Sequence, residues 1–354
     1  MSKKRTIITL GLSLLVTGIC SGQQAPGIRT AKDSTYFSKP YPYILPILGS
    51  KAHQAGVRLP FPMGVMVNAL VGTQNLTLDQ MKLGFGSHTN PDPPDMIDLD
   101  DVITFDEISA QTSTFNMRVD AWVLPFLNIY GIVGQTKKAD ITVNLVEPFP
   151  LSVNTEVAGT YFGYGVMAAG AVGPFFISAD LNRSHNYNPR LDDPAVILIH
   201  GVRTGPIFRF KNRPDMNVSL WVGYMYSSFN GDTDGSIDVV ELAPDAPGRI
   251  DEMQGDLDNW YAGLPPLEQA LYENLYNRLG DGLSGLRDGI ENGYLRYSFN
   301  KSIDNPWNLL VGGQWQINHR WQLRAEAQVL GDRTAGLFSV NYRFGVRGKN
   351  WFSN

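Results

Sequence analysis

The chain is short of cysteine, of histidine and of long apolar runs, and each shortage excludes a class of protein. It has one cysteine, Cys20, and five histidines in 354 residues. Cys20 lies in a segment that reads as a removable signal, so the processed chain has no disulfide framework. Zinc-spaced Cys/His pairs and glycine-rich phosphate loops do not occur. Beyond that signal no run of about 18 apolar residues exists, which excludes a membrane-spanning helix. Positive charge is also scarce. The 29 basic residues fall to 26 once Lys3, Lys4 and Arg5 leave, against 34 acidic ones. No nucleic-acid partner is expected from that balance.

What is present begins with targeting. Lys3, Lys4 and Arg5 precede the apolar run 7–19, and the small residues Cys20, Ser21 and Gly22 follow. These are the parts of a secretory signal peptide over residues 1–22. Ile19 stands where a lipidation signal wants a small residue, which argues against a lipoprotein reading of Cys20. Residues 23–58 read as an extended periplasmic lead with Pro40, Pro42 and Pro46.

The strongest signal is alternation. Trp321, Leu323, Ala325, Ala327 and Val329 share one face of a strand, and Gln322, Arg324, Glu326 and Gln328 share the other. Phe338, Val340, Tyr342 and Phe344 alternate with Ser339, Asn341 and Arg343 in the same way. Aromatics sit at the ends of the apolar rows, and charges sit in the middle of the polar rows. That pattern fits lipid outside and a wet lumen inside. The expected fold is all-β: a transmembrane antiparallel up-and-down β-barrel over residues 59–346, with a tail at 347–354. Short turns at 124–126, 172–174, 211–215 and 318–320 read as periplasmic. The stretches 75–112, 135–156, 184–194 and 229–305 read as extracellular, with alternation running on through 76–85 and 138–145.

Both termini should lie on the periplasmic side, so the strand number is even. It is ten if 236–240 and 294–301 extend above the membrane, and twelve if both cross it. One helical insertion is expected at about 250–290. There Leu267, Leu271, Leu275 and Leu279 recur at i+4, Gly280 reads as the C-cap, and the stripe should pack down over the barrel mouth.

Several residue sets could carry chemistry. Arg118, Asp120, Asp180, Arg203, Arg209, Arg324, Glu326 and Arg343 fall on polar faces. They could line a pore that selects small polar solutes, or pair with each other and fill a narrow barrel. Asn230, Asp232, Asp234, Ser236, Asp238 and Glu241 have the spacing of a calcium loop, with Gly235 at the sharp turn. Against calcium, Asn230 replaces the usual Asp and the flank Tyr224–Tyr226 reads as strand; the alternative is an Asp/Gly-rich turn. Ser184 beside His185 could suggest a lipid hydrolase, but neighbouring strand residues point to opposite faces. An enzyme is therefore not expected. Trp122, Trp307, Trp315, Trp321, Tyr342 and Phe344 read as interfacial girdle residues.

The segments 118–131, 307–321 and 339–344 resemble uncharacterised Gram-negative outer-membrane β-barrel proteins. The resemblance covers under half of the processed chain. It implies a cell outer-membrane location, lipid as the surrounding partner, and assembly by the barrel-insertion machinery. It implies no particular activity. The expected work is passage or surface binding of a small solute. The alternatives are a closed structural or adhesion barrel and, less favoured, an outer-membrane lipid hydrolase.

Overall fold

The computed structural model describes residues 37–348, except 91, 101–103, 106–107, 148–150, 189–191, 231–232, 239–245, 290–291 and 304. The expected signal peptide and the residues after 348 lie outside the described residues. Strands β1 (Met63–Ser87), β4 (Ile108–Leu124), β5 (Leu127–Glu147), β6 (Leu151–Val172), β7 (Phe175–Tyr187) and β8 (Ala195–Phe210) follow one another as neighbours, with two short strands, β2 (Ile97–Asp98) and β3 (Thr104–Phe105), beside them. Next come β9 (Arg213–Asn230) and, above the wall, β10 (Thr233–Asp238) and β11 (Gly293–Ser302). The strands β12 (Trp307–Gln316), β13 (Trp321–Val329) and β14 (Arg333–Phe344) complete the wall. β14 pairs with β1 from Phe344↔Met63 to Arg333↔Gln74, and β4 pairs with the other edge of β1. The sheet therefore closes as a ten-stranded antiparallel barrel. Closure removes both edges, which a lipid environment requires.

The alternation read from sequence decides which way each side chain points. Val133, Val222, Ile177 and Phe338 stand more than half exposed on the outer wall. Their strand neighbours turn into the lumen. Trp307 packs edge-on or tilted against Tyr224, Tyr226 and His200 at the end of the wall nearer the long connections. Trp321 packs on Tyr342 near the opposite end, with ring centroids 4.9 Å apart. Trp122 departs from the expectation. It lies on the same row as Arg118 and Asp120, so it faces inward and is no girdle residue.

Several of the extracellular stretches are strand. β5 runs up to Glu147 and β6 starts at Leu151, and the two stay paired as far as Leu145↔Leu151. β1 also outruns the wall. Its upper half, Thr77–Ser87, pairs with β11, and β11 pairs with β10. These added strands stand above the ten-stranded wall, as the ten-strand alternative required.

The register of β1 slips between Asp79 and Lys82, where Gln80 has φ 55°. One extra residue swaps the two faces of a strand. Below the bulge the even-numbered residues of β1, such as Gly64 and Asn68, face the lumen. Above it Leu83 and Phe85 take over the inward side. There they meet two helices, α2 (Ala246–Gly263) and α3 (Pro266–Asp288); a short helix, α1 (Gly49–Gln54), lies in the lead. Ile250, Leu257, Leu279, Leu283 and Leu286 form one buried cluster with Ile97 and Leu99. A Cβ on Gly282 would fall 2.1 Å from the Phe85 ring, so only glycine permits this approach. Tyr276 donates to Asp258 at 2.8 Å, and that bond raises its hydroxyl above the ordinary tyrosine value.

Three expectations about the insertion need correction. It is two helices rather than one. Leu267 and Leu271 are 84% and 71% exposed, so the first half of the leucine stripe packs on nothing among the described residues. Gly280 lies inside α3, and Gly289 is the C-cap. The described part of the lead is also not extended throughout. Its residues Gly49–Gln54 form α1, and Tyr41 packs on a small core of Ala52, Val57 and Leu59.

Candidate functional site

Two sites arise from this architecture, one inside the wall and one above it. The inner site is a lattice of charges. Asp180 comes from β7, Arg203 from β8, and Arg324 and Glu326 from β13. Alternation turns all four inward, and closure brings them together. Arg203 grips Glu326 with two bonds, Nε at 2.7 Å and Nη2 at 3.0 Å, and its third nitrogen bonds Asp180. Arg324 reaches the same Glu326 at 2.7 Å and lies over the Trp221 ring at 4.9 Å. The indole N–H of Trp221 donates to Glu326 at 2.9 Å. One carboxylate thus serves three donor groups, and such charge-assisted bonds are the strong ones.

A second knot lies nearer the lower rim. Arg343 bonds Asp120 at 3.1 Å and the carbonyl oxygen of Phe61 at 3.0 Å, tying the lead to the lumen. Asn128 donates to Asp120 at 2.6 Å and accepts from Arg118 at 3.0 Å. The Arg118 guanidinium lies 3.7 Å from the centre of the Tyr130 ring. Higher up, Asn68, Asn116 and Tyr161 form a chain with bonds of 2.6 Å and 2.8 Å.

Seven of the eight expected lumen charges therefore join two paired knots. The eighth, Arg209, does not: it is exposed at the lower end of β8 and forms no ion pair among the described residues. It shares the row of Arg203, but at that height β8 has passed its last pair with β7, Pro206↔Phe175. Reading charges alone missed Asn128 and Trp221. Asn128 was legible from its row on β5. Trp221 was not, because an aromatic on a barrel strand suggests the outer face.

Water has little access to these knots. Asp120 and Glu326 are each 4% exposed, and Asn128 and Leu310 are fully buried. The two knots draw side chains from β4, β5, β7, β8, β9, β13 and β14.

The outer site is a polar cleft of about 270 Å³ on the outward side of the extension. Ser87, His88, Asp192, Ser236, Tyr294 and Arg296 line it. The rings of His88 and Tyr294 lie against each other at a tilt of 31°, centroids 4.8 Å apart. His88 Nε2 bonds Asp238 at 2.7 Å, and Arg296 bonds Asp192 at 3.1 Å. Of the expected calcium ligands, Asp232 and Glu241 lie outside the described residues, as does the side chain of Asn230. Asp234, Ser236 and Asp238 alternate along one face of β10. Ser184 and His185 face opposite sides of β7: Ser184 accepts from Asn186, while His185 stacks on the outward Tyr164.

A closed barrel with an apolar outer belt, aromatic ends and a polar interior belongs in one setting. This is an integral outer-membrane β-barrel protein. No family model matches the sequence, and no curated protein is similar to it. Solved structures resemble it distantly. OprG from Pseudomonas aeruginosa is 7% identical at a TM-score of 0.35, covering 80% of this chain and 98% of its own. The β domain of the Bordetella autotransporter BrkA is 12% identical at 0.32, covering 80% and 100%. OmpT of Vibrio cholerae is 9% identical at 0.24, covering 79% and 97%. These likenesses are too distant to say what this chain does.

Proposed function

We propose that this protein is a closed, non-conducting outer-membrane barrel whose working surface is its extracellular extension. The carrying observation is the buried charge lattice inside the wall. Arg203, Asp180, Glu326 and Arg324 span it from three different strands and hold one another, with Glu326 4% exposed. A conducting pore needs solvated walls along its whole length. Surface binding then falls to the cleft of His88, Asp192, Tyr294 and Arg296. Its ring pair and its paired charges suit a small hydroxyl-rich solute, which needs both an apolar plate and fixed polar groups.

Planar bilayers test this directly. The purified protein should give no stepwise current above the bare membrane, whatever the salt or voltage. Regular single-channel openings from the unmodified chain would overturn the reading and restore passage as its work.

A further inference from the structure

The lowest part of the wall has a gap. β1 starts at Met63, but its neighbours run further down: β4 to Leu124, and the chain after β14 to Arg347. The lead fills the space. Tyr43 forms an antiparallel bridge with Arg347. The Ile44 N–H bonds the Val346 carbonyl at 3.1 Å, and the Ile47 N–H bonds the Val123 carbonyl at 2.9 Å. Residues 43–47 thus hydrogen-bond to both flanking strands, as a downward continuation of β1 would. Alternation persists. Tyr43 turns onto Phe61 at 5.5 Å and crowds Gly345, while Ile44 points away.

Three large apolar side chains are left bare along this seam. Ile44, Ile47 and Leu48 are each more than half exposed, and Val346 beside them is half exposed. Leu48 holds a positive φ of 69°, unfavourable for a branched side chain, and it sits at the start of α1 with no side-chain cap. An exposed leucine in a strained backbone gains nothing in water. The patch is continuous with the outer belt: Val346 follows Phe344, which stacks on Tyr342 and so on Trp321. Arg320, exposed at the same rim, donates to Tyr342 at 2.8 Å, the placement of a cation at lipid headgroups.

We infer that Ile44, Ile47 and Leu48 sit in the phospholipid of the inner leaflet, so that the lead is a membrane anchor and a substitute piece of the barrel wall. Its occupant is lipid at the boundary of headgroups and acyl chains. The depth fits, because interfacial anchors bury only about 5–10 Å into that boundary. The inference stands whether or not the lumen conducts.

The test places an environment-sensitive fluorophore on single cysteines at Ile44, Ile47 and Leu48 in turn, in the full protein folded into phosphatidylcholine vesicles. Val71, 65% exposed on the wall, serves as the lipid reference, and exposed Lys51 of α1 as the aqueous one. The unsubstituted chain reports any label on Cys20. Heat-modifiable migration confirms that each variant is folded. Brominated lipid should quench the three labels by at least half of its effect at Val71, while aqueous iodide quenches only Lys51. Quenching by iodide instead would put the patch in water. Shielding from both quenchers would mean that another protein or a second copy covers it. Either outcome overturns the inference.

Discussion

The wall and the extension of this molecule are the same sheet turned inside out. In the wall the outward rows are apolar, as with Val133 and Val222, and the inward rows carry Asp120, Arg203 and Glu326. In the extension the inward side carries Leu83 and Phe85 under two helices, and the outward side carries the polar cleft. The reason is the solvent. Lipid surrounds the wall, so apolar groups belong outside. Water surrounds the extension, so apolar groups must hide within. A strand that crosses from one medium to the other must exchange its faces, and β1 does this with one surplus residue at Gln80. A bulge is thus the cheapest device for joining a membrane sheet to a soluble one.

The hardest blow to this comparison is deletion of Gln80. The upper half of β1 would then keep the parity of the wall and turn Leu83 and Phe85 outward. Full burial of such a side chain contributes about 1.5–3 kcal/mol, and Leu83 and Phe85 are partly buried, so α2 and α3 should lose up to roughly 3–6 kcal/mol of docking. The wall below should survive. Limited proteolysis of folded protein in vesicles reads this out: the helices should be cut while the heat-modifiable barrel persists. Helices as protease-resistant as before would mean that the bulge does not set the faces.

Next in size is Glu326→Ala. It strands Arg324 and the Trp221 indole and leaves Arg203 with Asp180 as its one ion-pair partner among the described residues. Removing one partner from a buried ion pair costs about 3–5 kcal/mol, because the other charge stays buried without compensation. Urea unfolding from vesicles, followed by tryptophan fluorescence, should show a loss of that order. Glu326→Gln should recover part of it, since an amide oxygen still accepts a bond. A loss under about 1 kcal/mol would be the value of an exposed pair, such as Arg287–Asp251, and would mean that the lumen is wet. It would also undercut the reading of a closed barrel.

Most of the wall was legible in the sequence, because period-2 alternation needs only one solvent on each side. It put Arg118, Asp120, Asp180, Arg203, Arg324, Glu326 and Arg343 on the rows opposite the apolar ones. It could not say that they pair. Pairing depends on which rows closure brings together, and Arg203 is far from Glu326 in sequence. Arg209 has the same parity and fails, because parity says nothing about height in the barrel. Alternation also could not follow β1 past Gln80, where a single residue inverts its meaning. The cleft was illegible for a further reason. His88, Asp192 and Arg296 come from three separate segments, and no local spacing links them.

The leucine stripe of α3 is the instructive miss, and it gives the smallest expected effect. A spacing of i+4 places Leu267, Leu271, Leu275 and Leu279 on adjoining parts of a helix surface, but only a neighbouring element makes that surface a core. The sheet beneath α3 supplies Leu83, Phe85, Ile97 and Leu99, and these reach only the later turns, at Leu275, Leu279, Leu283 and Leu286. The first turns hold to α2 through Tyr261 and Gln269, which exchange two bonds of 3.1 Å, and their leucines stay bare. Leu271→Ser should therefore change stability by no more than about 0.5 kcal/mol, as ordinary surface replacements do. Urea unfolding would check it, alongside protease resistance of the two helices. A loss approaching the roughly 2–5 kcal/mol of a buried leucine truncation would show that something covers this face in the membrane. The inversion of the sheet would then be only part of how the extension hides its apolar surface.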